Sequence, residues 1–285
     1  MLLVPFAYFL LFKYVPMFGN ILAFRRFRPL TGPFGVRWEG LRYFRQFMGQ
    51  GDFWRAFFNT LSLAALNLII NFPVPIIFAV MLNELRSLRF KKLVQTVSYM
   101  PRFVSTVVVV SILTELLSPS SGALNRLIQS VTGNPPVFYM NEASYFRPLY
   151  ILTDMWQFMG WSAIIYLAAI TGISADLFEA ARIDGAREPQ ILWHISLPAL
   201  SGVIITTAIL AISGSLKTFD LIYAMTGGGP AGQTRVLSLY MYESAFRGAP
   251  NYPLANAIST VMVIISIVLI IITRRLGKTF GTQED

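Results

Sequence analysis

Apolar positions in this chain come in blocks rather than stripes. Six stretches are almost unbroken in their hydrophobicity: about 2–24, 56–83, 93–117, 148–173, 197–221 and 254–273. An amphipathic helix on a soluble core would show polar residues every three or four positions. These blocks are apolar all round, and they approach the ~20 residues that cross a bilayer as a helix. They are too long for barrel strands, and backbone groups in lipid must find partners within their own segment. The pattern therefore predicts an all-α, polytopic membrane bundle of six transmembrane helices. Pro73-Val-Pro75 predicts a kink in the second block, and Pro101-Arg102 interrupts the third. The first block lacks a basic leader and a small-residue cleavage site, so it reads as a span rather than a signal peptide.

The segments between the blocks differ in character. Residues 25–55 are long and basic, and 84–92 short and basic. Residues 118–147 are rich in Ser, Gly, Asn and Pro, with an interfacial helix expected over 123–131. Residues 174–196 form a charged, alanine-rich knuckle, and 222–253 hold a glycine-rich turn followed by aromatics. No internal repeat and no separate soluble domain is visible. Residues 1–285 read as a single transmembrane domain.

Composition agrees with this reading and removes several chemistries. Of 285 residues, 55% are hydrophobic and 13% charged, against about a quarter charged in soluble domains. There is no cysteine and one histidine, His194. Disulfides, iron–sulfur clusters, thiol nucleophiles and multi-histidine metal sites are excluded. The net charge of +9 has two readings: basic loop residues that hold topology, or a path for anionic substrates. With six spans, the knuckle, the 84–92 loop and the C-terminus share one side. Basic residues are divided between the two sides, six of them falling between Arg25 and Arg45. Charge alone does not fix the orientation.

The knuckle reads as two short helices about a glycine. Ser174 is a helix N-cap, with Asp176 and Glu179 in the first turns where the macrodipole favours acids. Gly185 suits a left-handed stop, and Pro189 starts a second helix. Ala180 and Ala181 leave a smooth surface for another protein, and Glu179, Arg182, Asp184 and Arg187 offer charges for register. An ordinary, well-capped loop would show much of the same pattern.

The spacing separates the two readings. Glu179-Ala180-Ala181, three residues, Gly185, nine residues, then Ile195-x-Leu197-Pro198 resembles the EAA motif of ABC-importer permeases. Three other segments resemble the sugar-type, polysaccharide branch of that family. These are YVPMFGNILAFRRF from Tyr14, MPRFVS from Met100 with Gly122-Ala-Leu-Asn125, and FDLIYAMTGGGP from Phe219 with Thr234 and Tyr240-Met-Tyr242. Arg102 and the basic first loop depart from the family pattern. The resemblance implies a type I importer permease in the bacterial inner membrane, with both termini and the knuckle (174–198) in the cytoplasm. It implies three kinds of partner besides lipid and no nucleic acid: a second homologous permease, two ATPase subunits and an extracytoplasmic solute-binding protein. ATP and magnesium would be bound by the ATPases, with no cofactor and no catalytic residue in this chain. Glu179, Ala180, Ala181, Asp184, Gly185, Ile195, Leu197 and Pro198 would form the coupling element. The cargo implied is carbohydrate, an oligosaccharide, neutral or acidic.

Polar residues inside the spans are candidates for the pathway. Asp154, Gln157 and Trp161 share a helix face at i, i+3 and i+7. Acid, amide and indole together suit a sugar, and an ionisable group within a span generally faces a cavity; the alternative is an ion pair made only for packing. Asn67 and Asn71, with Asn59 nearer one end, serve either substrate contact or interhelical hydrogen bonding. Ser213, Lys217 and Asp220 share a face near Tyr223. Lys217 and Asp220 either pair with each other or leave Lys217 free to attract an acidic sugar. Gly227, Gly228, Gly229 and Pro230 are one residue short of a phosphate-binding loop, with Gln233 in the lysine position. They follow a span rather than a buried strand, which excludes nucleotide. They read as a binding-protein contact or as a flexible outer turn. An ion-gradient transporter or channel is the rival class, and would show broken helices in an inverted repeat.

Overall fold

The structure, a computed structural model, describes residues 2–28, 35–229 and 232–279, with side chains through Arg275. Among the described residues, three helices are long and apolar enough to cross a membrane alone: α1 (Leu3–Phe24), α3 (Gly51–Asn83) and a C-terminal helix from Tyr252. Between α1 and α3 lie a two-residue strand pair, β1 (Arg25–Arg26) and β2 (Arg37–Trp38), and α2 (Arg42–Met48). The pair is antiparallel, with Arg25 opposite Trp38. It is closed by Phe24 stacked on Trp38 at 5.6 Å and 9°.

Three bent pairs raise the number of spans to six when each pair is counted as one. α4 (Leu88–Phe103) meets α5 (Thr106–Leu116) at 99°. After the amphipathic α6 (Ala123–Thr132), α7 (Ala143–Thr171) turns by 71° into α8 (Ala175–Ile183). α9 (Glu188–Ala199) turns by 65° into α10 (Ser201–Ser215). The last two bends bracket the knuckle, so its helices turn away from the spans they join. α11 (Asp220–Thr226), α12 (Leu237–Phe246) and α13 (Tyr252–Thr279) complete the chain.

Proline shapes the spans by a common device. The prolines at 73–75 do not break α3. A wide π-turn, Asn67–Asn71, stands just before them, with Phe72 N–H donating to Asn67 O at 2.9 Å. Leu10–Tyr14 precedes Pro16 and Leu192–Ser196 precedes Pro198 in the same way. Proline has no N–H and crowds the carbonyl four residues back. One extra residue in the preceding turn moves that carbonyl aside and keeps the helix continuous.

The α4–α5 bend is a true interruption. Pro101 lies in a 3₁₀ turn (Met100–Phe103), and Val104 and Ser105 are extended. Ser105 Oγ then caps α5 by accepting from Val108 N–H at 3.4 Å. The break leaves Val104 O exposed to the bundle interior, and Gln157 Nε2 of α7 donates to it at 3.0 Å. α7 lies against α4 so closely that a Cβ on Gly160 would stand 2.2 Å from Ser98 O. Gly122-Ala-Leu-Asn125 also has a structural explanation. A Cβ on Gly122 would meet Leu116 O at 2.4 Å. Asn125, 1% exposed, donates to Leu117 O (3.0 Å) and Val137 O (2.7 Å) and accepts from Val137 N–H.

The segment 222–253, expected to be a loop, is largely folded. α11 and α12 pack into two buried clusters. One joins Ile222, Met225 and Leu239 to Leu63, Val110 and Tyr150. The other joins Leu237 and Tyr240 to Phe47, Phe53 and Ile258. Periodicity missed these helices because each has only seven to ten residues. A third cluster, Leu82, Ala163, Tyr166 and Leu200 among others, ties the far ends of α3 and α7 to the start of α10 beside the knuckle.

Candidate functional site

Between the first and third clusters α3, α7 and α10 part around a cavity of about 550 Å³. The π-turn of α3 presents Asn67 and Asn71 to α7. Asn71 Nδ2 donates to Asp154 Oδ2 at 2.9 Å and to Asn67 Oδ1 at 2.7 Å, and Asn67 Nδ2 donates to Tyr150 OH at 3.2 Å. Asp154 therefore takes an amide as its partner, with no ion pair among the described residues. Two oxygens on this wall, Asn71 Oδ1 and Gln157 Oε1, are buried and accept no hydrogen bond. A buried acceptor without a donor costs about 1–3 kcal/mol, so this wall is suited to a ligand that brings hydroxyl donors.

The opposite wall comes from α10 and the residues after it: Thr207, Ser215, Lys217, Thr218, Phe219 and Asp220. Lys217 and Asp220 form no ion pair within 4.0 Å, so the ammonium is not neutralised by its nearest acid in sequence. A second cation lies close by. Arg102, at the α4–α5 bend, holds its guanidinium carbon 4.8 Å from the ring centre of Phe158, a lining residue.

Six of the ten residues expected on the pathway line this cavity: Asn67, Asn71, Asp154, Gln157, Lys217 and Asp220. Asn59, Trp161, Ser213 and Tyr223 lie outside the lining. Asn59 instead clamps the segment after the glycine turn, donating to Gln233 O (2.8 Å) and Arg235 O (3.0 Å). Trp161 shares the face of Asp154 and Gln157 but packs edge-on against Phe103 at 5.7 Å instead. Tyr223 stacks on Phe219 at 5.1 Å. Tyr150, Tyr166 and Thr207 also line the cavity. Their only signal in the sequence is a polar group within an apolar block.

The knuckle lies at the other end of α10 from Lys217. Ser174 caps α8 through Asp176 N–H, Gly185 has φ +80°, and Gln190 Oε1 accepts from Arg187 N–H at 2.8 Å to start α9. Pro189 is the second residue of that helix rather than its first. Arg182 reaches Glu188 across the glycine turn at 3.2 Å. Glu179, Ala180, Asp184, Gly185 and Pro198 are exposed, and Ala181, Ile195 and Leu197 are half-buried. Ile183, 85% exposed, adds an apolar surface that no described residue covers.

The glycine turn at the opposite end is tied down. Gly227, Gly228 and Gly229 all have positive φ. A Cβ on Gly229 would stand 2.5 Å from Thr234 Oγ1, which is itself 2.7 Å from Thr226 Oγ1. Pro230 lies outside the described residues. Arg235 joins this turn to α3 through Asp52 (3.4 Å) and to α12 through Glu243 (2.9 Å).

A multi-pass helical bundle that holds an acid, amides and an amine around a cavity between its spans fits the membrane subunit of a transporter. Family comparison makes this specific. Residues 71–281 match the family described as binding-protein-dependent transport system inner membrane component, and the chain belongs to that family. It is 40% identical over 284 residues to the polygalacturonan/rhamnogalacturonan transport system permease protein YteP of Bacillus subtilis, covering 99% of this chain and 88% of that protein. Protein LplB of the same organism is 36% identical over 286 residues, covering 99% and 89%. Among solved structures, a bacterial ABC transporter involved in the import of the acidic polysaccharide alginate superposes with TM-score 0.89 at 31% identity, over 99% of this chain and 95% of that one. A bacterial alginate ABC transporter in complex with an alginate pentasaccharide-bound periplasmic protein gives TM-score 0.87 at 31% identity, over 98% and 93%.

Proposed function

We propose that residues 1–285 form one half of the translocation pathway of an ATP-driven importer for acidic oligosaccharides. The cavity carries this reading. Buried acceptors on α3 and α7 suit sugar hydroxyls, and Lys217, without an ion pair, suits a carboxylate on the facing wall. A neutral sugar would satisfy the first wall and leave Lys217 without a carboxylate partner. The relatives handle polygalacturonan, rhamnogalacturonan or alginate by name, and each of these carries uronate groups.

A second, homologous permease closes the pathway from the other side. The knuckle, 174–198, lies in the cytoplasm with both termini and seats in a pair of ATPase subunits, which bind ATP and its magnesium. Exposed Ala180 and Ile183 give it an apolar contact, and Glu179 and Asp184 give it register. The outer turn at Gly227–Gly229 receives the loaded solute-binding protein. Closure of the ATPases pulls the knuckle, and the spans move between two packings that expose the cavity to one side and then the other.

The test is uptake by the complete assembly in proteoliposomes, using an oligogalacturonate and a neutral oligosaccharide of equal length. ATP-dependent uptake of the acidic sugar is expected. Lys217→Ala is expected to weaken acidic uptake and leave any neutral uptake unchanged. Equal effects on both sugars would remove the charge argument. Uptake that survives ATP depletion would return the ion-gradient class.

A further inference from the structure

An aromatic track leads from the cavity to the outer surface. It starts at Phe219, which lines the cavity. Phe219 stacks on Tyr223 (5.1 Å, 14°) and tilts against Tyr242 (4.9 Å). Tyr242 meets Phe246 at 5.3 Å, and Phe246 meets Tyr252 at 6.3 Å. The base is rigid, because Phe219 and Tyr242 pack against the buried cluster of α11, α12 and their neighbours. The outer rings are open: Tyr223 is 47% and Phe246 66% exposed. The hydroxyls of Tyr223 and Tyr242 make no hydrogen bond among the described residues.

From this geometry we infer that Tyr223, Tyr242 and Phe246 form an entry subsite that holds successive pyranose rings of the oligosaccharide before they reach the cavity. The inference rests on the carbohydrate reading above. A pyranose presents axial C–H groups on one face and hydroxyls at its edge. Aromatic faces carry negative charge density that attracts those C–H groups, and the tyrosine hydroxyls can bond the rim. A uronate also needs a cation. Arg247 follows Phe246 directly; it meets Glu243 at 2.8 Å with its side chain 72% exposed, while Arg235 is held between Glu243 and Asp52, so Arg247 is the guanidinium that an incoming carboxylate can reach. An aromatic belt that only marks the membrane interface would ring the bundle at one level. This track instead ends in the cavity wall.

The subsite adds contacts only for a chain longer than the cavity holds, so its signature is a dependence on length. In the reconstituted assembly, Tyr223→Ala and Phe246→Ala are expected to raise the apparent KM for long acidic oligosaccharides about three- to tenfold. The KM of the shortest transported sugar and the maximal rate stay within twofold. Tyr223→Phe keeps the ring and is expected to retain most of the wild-type KM, and size-exclusion of the purified complex checks that each variant assembles. An equal change for all lengths would overturn the track. Loss of the permease pair on size-exclusion would assign this face to the partner subunit instead. If wild-type protein imports no acidic or neutral oligosaccharide, the track falls together with the functional reading. If it imports them and the variants show no length dependence, the track alone falls.

Discussion

Gly160 offers a severe test of how the cavity is held open. It stands on α7 one turn beyond Gln157, where α7 touches the backbone of α4. A methyl group here would lie 2.2 Å from Ser98 O, 2.5 Å from Ser98 C and 2.9 Å from Ser98 Cβ. Ordinary contact starts near 3.4 Å, so the first of these is about 1.2 Å too short. The neighbour is backbone within a helix, so no side-chain rotation can relieve it. α4 and α7 must part, and close-packed interiors resist that. Overpacking of this kind costs about 1–3 kcal/mol. Parting them also stretches the bond from Gln157 to Val104 O, now 3.0 Å, which satisfies the open carbonyl at the α4–α5 bend. Gly160→Ala is therefore expected to lower the thermal midpoint of the purified complex by several degrees and to cut uptake. Gly202→Ala is the control. Gly202 lies in α10 with nothing within 4 Å of its added Cβ, and there the same methyl should be neutral or stabilise by about 0.4–1 kcal/mol. The assay is thermal denaturation by intrinsic fluorescence with uptake measured on the same preparations. Wild-type behaviour of Gly160→Ala, or equal loss in both variants, would refute the close-approach argument.

Other expectations follow from named contacts. Pro73→Ala lets the π-turn of α3 relax to regular helix, which turns Asn67 and Asn71 by about 100° relative to the prolines; uptake should fall while the thermal midpoint holds or rises, and unchanged uptake would detach the asparagines from function. Asn125→Leu strips donors from one buried and one half-buried carbonyl and should cost about 1–3 kcal/mol, read as a lower thermal midpoint; Asn125→Asp should rescue little of it, because the amide nitrogen does the donating. Glu179→Lys and Gly185→Trp are expected to insert normally and retain ATP hydrolysis while losing transport, and normal uptake in either would count against the coupling role of the knuckle.

The class of this protein was decided by the chain's one-dimensional pattern. Apolar blocks of bilayer length leave the backbone no alternative to helix, and the Glu-Ala-Ala to Leu-Pro spacing marks the knuckle because capping and turning are local events. Ser174, Gly185 and the start of α9 are set by residues within a few positions of each other; the structure agrees with the sequence at the first two and starts α9 one residue before Pro189. The candidate site was only partly legible. A helical wheel placed Asp154 and Gln157 on one face, as the cavity lining does, but it also placed Trp161 there, and it could not tell that Asn59 is spent on a segment 174 residues away in sequence. Whether Asp154 meets a cation or an amide, and whether Lys217 meets Asp220, depends on how α3, α7 and α10 are set against one another. That in turn depends on an extra residue before Pro73, a missing Cβ at Gly160 and short helices folded from an expected loop. Periodicity reports which face of a helix is apolar. It carries no information about what stands opposite, and in a bundle whose spans are apolar all round only packing supplies that answer.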